Sequence, residues 1–137
     1  MVRSQNRSQT QGEEHMSIYT PDKWVVVKLT NKQDEVHYRI FACWYGGWSG
    51  ADSWRMNSGI TKANLVDDFY EFSGTSGSLY TCHNNVYGTS LYGHGVLTNM
   101  IKNFKYLTVE VMPEDTDFLK LEYKNEQIRR THDETND

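Results

Sequence analysis

Between Trp24 and Thr30 the chain reads Trp-Val-Val-Val-Lys-Leu-Thr, a β-prone run with Val25, Val27 and Leu29 on one face. The polar stretch Asn31-Lys32-Gln33-Asp34-Glu35 turns it, and Val36 to Tyr45 alternates across a second strand. One face of that strand carries Val36, Tyr38, Ile40, Ala42 and Trp44; the other carries His37, Arg39, Phe41, Cys43 and Tyr45. Together they predict a hairpin. Ser53 to Asn57 predicts a third strand, broken at Ser58-Gly59, and Ala63 to Val66 a short fourth. Phe69 to Phe72 and Ser78 to Cys82 predict another hairpin, turned at Gly74-Thr75-Ser76-Gly77.

The rhythm then changes. Val96, Leu97, Met100, Ile101 and Phe104 recur at helical spacing with polar residues between them, which predicts one amphipathic helix after Gly93-His94-Gly95. Alternation returns at Leu107, Val109 and Val111. Pro113 to Thr116 turns the chain, and Leu119, Leu121 and Tyr123 predict the return strand of a C-terminal hairpin. The pattern reads as an α+β fold: an antiparallel β meander, curled as an open sheet or a small barrel, with one helix and a last hairpin.

This pattern places one domain over residues 16–123. Residues 1–15, with Val2 as their one aliphatic core former, read as a disordered extension, and 124–137 as a polar tail. Translation starting at Met16 is one reading of the first segment and an ordinary flexible arm the other. At 137 residues a single modest core is expected. Net charge is −4 with the signs interspersed, and no basic cluster exceeds Arg129-Arg130, which argues against a groove tracking nucleic-acid phosphates. No apolar run approaches the ~20 residues of a membrane span, and no apolar signal-peptide core stands at the start. Two cysteines, Cys43 and Cys82, make no disulfide framework, so a soluble intracellular protein with reduced thiols is expected.

Phe41 to Gly59 changes the picture most. Three of the four tryptophans, Trp44, Trp48 and Trp54, stand here around Gly46-Gly47 and Gly50. Trp44 and Trp54, on strands, are expected in the core; Trp48, between Gly47 and Ser49, is expected to be exposed as a contact residue. Tyr45 and Asp52 flank it, with Asp52 expected to pair with Arg55 and stiffen the loop. A second set suits a small anion. His37 and Arg39 share a strand face, Arg55 can join them from a later strand, and His94 stands between glycines before the helix.

Other chemistry finds less support. Cys43, Cys82, His83 and His94 are the one plausible zinc set, and their spacings match no finger or knuckle. A thiol nucleophile would need Cys82 beside His94 and Asp52, which nothing in the sequence brings together. Gly74-Thr75-Ser76-Gly77-Ser78 leads into a strand with no lysine following, so it reads as a turn and not as a phosphate loop. No catalytic residue, cofactor or metal is therefore assigned.

The runs Trp24-Val25-Val26-Val27-Lys28, His37-Tyr38-Arg39-Ile40-Phe41, Gly50 to Ile60, and Ser76-Gly77-Ser78-Leu79-Tyr80-Thr81-Cys82-His83 resemble small uncharacterised proteins encoded by tailed bacteriophages. The resemblance covers roughly residues 19–101. It implies a phage accessory protein in the host cytoplasm or on the virion, and no particular activity. Two functions fit. One is a non-catalytic module binding a protein partner, or itself, through the aromatic, glycine-rich loop. The alternative is a protein that binds or sequesters a small anionic, nucleotide-like ligand through Arg39, Arg55 and His94.

Overall fold

The computed structural model describes residues 16–123; the extension expected at 1–15 and the tail at 124–137 lie outside the described residues. Eight strands within that range are β1 (Ile18–Tyr19), β2 (Lys23–Asn31), β3 (Val36–Trp44), β4 (Ser53–Met56), β5 (Ile60–Val66), β6 (Phe69–Gly74), β7 (Leu79–His83) and β8 (Leu107–Val111). The helix α1 spans Leu91–Asn103. The fold is α+β, with two separate four-stranded sheets, ordered β4-β3-β2-β8 and β1-β7-β6-β5. The single small barrel that the meander allowed does not form.

β2 and β3 occupy the middle of the first sheet, and both of its faces are covered. Trp24, Val26, Ile40 and Ala42 meet Ile60, Phe72, Tyr80 and Cys82 of the second sheet. Val25, Val27, Leu29, Phe41, Cys43 and Val109 meet Leu97 of α1 on the opposite side. Hence three layers: sheet, sheet, helix. An uninterrupted apolar run suits a strand buried on both faces, which is why Trp24 to Val27 shows no polar break. The β2–β3 turn is tied by Asn31, whose Oδ1 accepts the N–H groups of Gln33 and Glu35, both at 2.9 Å. Asp34 there adopts a left-handed φ of 65°.

Trp24 locks the layers. Its ring contacts Tyr70, Phe72, Tyr87 and Phe118, and its Nε1 donates to the His83 carbonyl at 2.8 Å. Phe118 explains the missing C-terminal hairpin. Leu119, Leu121 and Tyr123 form no strand; turns close at Thr116 and Lys120 instead, and the Tyr123 hydroxyl donates back to the Phe118 carbonyl at 2.5 Å. Burying one large ring among four aromatics gains more than pairing three alternating residues along a sheet edge.

Two other expectations change. β1, unforeseen, joins β7 in parallel, placing Ile18 opposite Leu79 and Tyr19 opposite Tyr80. α1 begins before the glycines, because Ser90 caps it and its Oγ accepts the Gly93 N–H at 3.0 Å. Gly93-His94-Gly95 is therefore the first part of the helix and not a bend in front of it. Gly93 is buried where a methyl would collide with Cys43 Sγ, so it serves close approach of helix to sheet. No helix among the described residues is long and apolar enough to cross a membrane.

Candidate functional site

After Met56 the chain leaves the first sheet for the second, and Asn57-Ser58-Gly59 makes the corner. The Asn57 N–H still donates to the Ile40 carbonyl at 3.1 Å. Its side chain takes over where the backbone can no longer pair, as Oδ1 accepts the Ile40 N–H at 2.9 Å. That bond fixes the amide's orientation, since an N–H needs the oxygen and not the nitrogen. Asn57 Nδ2 is thereby turned to the other side, and among the described residues this buried donor has no hydrogen-bond partner. Asn57 is 4% exposed. A buried donor left unpaired costs about 1–3 kcal/mol, which sets this amide apart from the other buried polar groups described.

The corner borders a cleft of about 290 Å³ between the two sheets. Arg39, Arg55 and Asn57 line it from the first sheet and the corner. Ser76 and Ser78 from the β6–β7 turn and Tyr80 from β7 line the other side, with Ser17 and Tyr19 at the mouth. Ser58 Oγ ties corner to turn by accepting from Thr75 Oγ1 at 2.6 Å and from Ser76 N at 3.1 Å. No carboxylate stands among the described residues of the lining. The cleft thus offers two guanidinium groups and several hydroxyls, a set of donors suited to an anion, with the buried Asn57 amide at its border.

Arg55 is placed by pairing: it stands opposite Ala42, on the inter-sheet side, and its guanidinium sits over the Tyr19 ring, 4.6 Å from the centroid. Tyr19 packs in turn on Tyr80 at 4.9 Å. Burial pushes the Tyr80 hydroxyl up to about 12, with Arg55 partly offsetting it, so the hydroxyl stays protonated and able to donate near neutral pH. Arg39 donates through Nε to His37 Nε2 at 3.3 Å. Arg39, Arg55 and Met56 also line a second cavity, a groove of about 510 Å³ between the first sheet and α1, where Trp54, Met100, Phe104 and Leu107 make the walls.

The fold brings Arg39 and Arg55 together, as the anion reading requires. His37 touches Arg39 but lies outside the cleft's lining, and His94 is exposed on α1, in neither cavity. Asn57, Ser76, Ser78 and Tyr80 escaped the sequence reading. The break at Ser58-Gly59 was their one signal, and the serine-rich turn is a turn, as expected, whose side chains also wall the cleft.

The aromatic segment folds differently from its expectation in two respects. Trp48 rides a 3₁₀ turn, Gly47–Ser49, and is 98% exposed; Tyr45 is 53% exposed. Asp52 does not pair with Arg55. Its Oδ1 accepts the Gly46 N–H at 3.0 Å, while Asp22 Oδ2 accepts the Tyr45 N–H at 2.8 Å. Gly46 packs so tightly on Ala51 that a methyl there would collide with its backbone. Trp44 and Trp54, expected in the core, are only half-buried and pack on the edges of the two cores respectively.

Cys82 lies between the sheets and Cys43 on the helix side of the first sheet, so the two thiols face different cores. Burial pushes the Cys82 thiol up, away from the reactive thiolate, and His94 stands on the helix layer, with a sheet between it and Cys82. The cysteine constellation is not assembled. No protein-family model, curated protein or solved structure matches this chain.

Proposed function

We propose that the protein binds a small anionic ligand, bearing a phosphate or carboxylate, in the cleft at the Asn57 corner. The observation that carries this reading is the buried Asn57 Nδ2, unpartnered beside two arginines and a row of hydroxyls. A guanidinium fork grips such an anion at two oxygens, and the amide N–H supplies a further donor in a part of the protein shielded from water. Among the described residues of the lining, no base or nucleophile is set against a second group, and the activity we propose is binding or sequestration. The resemblance to small tailed-phage proteins supports a setting in the host cytoplasm or on the virion.

Calorimetric titration with inorganic phosphate and with a nucleoside monophosphate tests it. Binding that Arg39→Ala and Arg55→Ala each weaken at least tenfold, with unchanged melting of the unliganded variants, supports the reading. Absence of binding by either anion ends it.

A second reading rests on a separate observation, the 98% exposure of Trp48 on a turn pinned by Asp22 and Asp52. A fully presented indole on a tied turn is the kind of side chain that anchors protein interfaces. Trp48, with Tyr45 beside it, would bind a protein partner or a second copy of the chain, and Asp52 would act by holding the turn. Sedimentation of the wild type against Trp48→Ala reads the self-association form directly: equal mass at all concentrations for both proteins excludes it.

A further inference from the structure

The anion cleft and the apolar groove share a wall. Arg39 and Arg55 line both, and beyond them the groove presents Trp54, Met100, Phe104 and Leu107. Phe104 is 43% exposed and Trp54 and Met100 are only partly buried, so this apolar surface is left uncovered by the described fold.

On the reading of the cleft as an anion site, we propose that the ligand is amphipathic, its anionic group held in the cleft by Arg39, Arg55 and Asn57 and its aryl or alkyl body lying in the groove against Trp54, Met100 and Phe104. Each cavity accounts for one end of such a molecule. An apolar groove of this size beside a few convergent polar groups is the usual form of a small-molecule site, where apolar contact supplies affinity and the polar groups fix orientation. Guanidinium groups suit the junction, because their planar faces tolerate an apolar neighbour while their edges hold an anion.

The probes are inorganic phosphate, octyl phosphate below its micelle concentration, and octanol, each titrated calorimetrically into the full chain. Octyl phosphate is expected to bind at least about tenfold more tightly than phosphate, a gain that burying as few as two methylenes provides. Phe104→Ser, and Met100→Gln as a second variant of similar length, should remove most of that gain and leave phosphate affinity as it was. Thermal melting shows which variants are folded. Equal affinity for phosphate and octyl phosphate overturns the amphipathic ligand and leaves the anion cleft standing. Retention of the full gain in both folded groove variants overturns it as well. Octanol binding as tightly as octyl phosphate would show a groove independent of the anion and also overturns it. Failure of phosphate and octyl phosphate alike sinks the anion reading and this inference with it.

Discussion

The inter-sheet layer has two ends that obey opposite rules. At the Trp24 end every large polar atom buried among the rings is matched. The indole Nε1 donates to the His83 carbonyl, the Tyr87 hydroxyl donates to the Met112 carbonyl at 2.6 Å and accepts the Val26 N–H at 3.1 Å, and the Tyr123 hydroxyl donates to Phe118. At the Asn57 end the layer opens into a polar cleft, and a buried amide nitrogen is left over. Both ends are built by the same two sheets. A fold that satisfies its buried donors so fully in one place makes a lone unsatisfied one in another informative.

The largest effect should come from the closed end. Trp24→Ala removes a ring with four aromatic neighbours and an inter-sheet hydrogen bond, and should cost about 3–5 kcal/mol, read as a lower urea midpoint. A loss below about 1 kcal/mol would show that the aromatic cluster does not lock the sheets.

Asn57 comes next, and two variants separate its two atoms. Asn57→Ala strips the acceptor from the Ile40 N–H and should cost about 1–3 kcal/mol. Asn57→Asp keeps an oxygen for that N–H but replaces the spare donor with negative charge. It should fold, yet bind phosphate at least tenfold more weakly. If Asn57→Asp binds phosphate as well as the wild type, Nδ2 has no part in the site.

The two ends share a pH signature. Burial raises Tyr80 in the cleft and Tyr87 beside Trp24 to about 12 each. A folded value above the ordinary tyrosine value of about 10 means stability is complete below about pH 10 and lost as pH rises toward 12. Denaturation midpoints should therefore be level up to that range and fall above it, with a shallower fall in Tyr80→Phe. An identical fall in that variant would remove Tyr80 from the account. The smallest expected change is in Trp48→Ala, within about 0.5 kcal/mol of wild type, because the indole touches so little of its own protein. A clear drop in stability would mean the side chain packs on the fold and is not presented to a partner.

The antiparallel β2–β3 and β6–β7 pairs, the existence of one helix and the exposure of Trp48 were legible in the sequence. β2, β3, β6 and β7 carry dense β-branched and aromatic runs between Asn, Asp and Gly turns, and local chemistry decides such elements. Trp48 sits in a glycine frame that offers it no partner nearby in the chain. The helix start was misread by five residues because the glycines looked like punctuation, whereas Ser90 as cap and the close packing of Gly93 on Cys43 outweigh their poor helix propensity. The final hairpin was misread because alternation at Leu119, Leu121 and Tyr123 says nothing about where Phe118, just before them, finds its neighbours.

Residue spacing and turn chemistry thus settled an α+β protein of β hairpins with one helix, since both act over a few residues. That there are two sheets, that β1 joins one of them in parallel, and that Arg39, Arg55, Asn57 and Tyr80 converge on one cleft were decided by tertiary structure alone. Arg39 and Tyr80 are 41 positions apart in the chain, and only the corner at Asn57-Ser58-Gly59, folding the second sheet back over the first, puts them on one cavity wall. The spare donor is likewise invisible in the sequence: an asparagine reveals an unmet hydrogen bond only once everything around it has been placed.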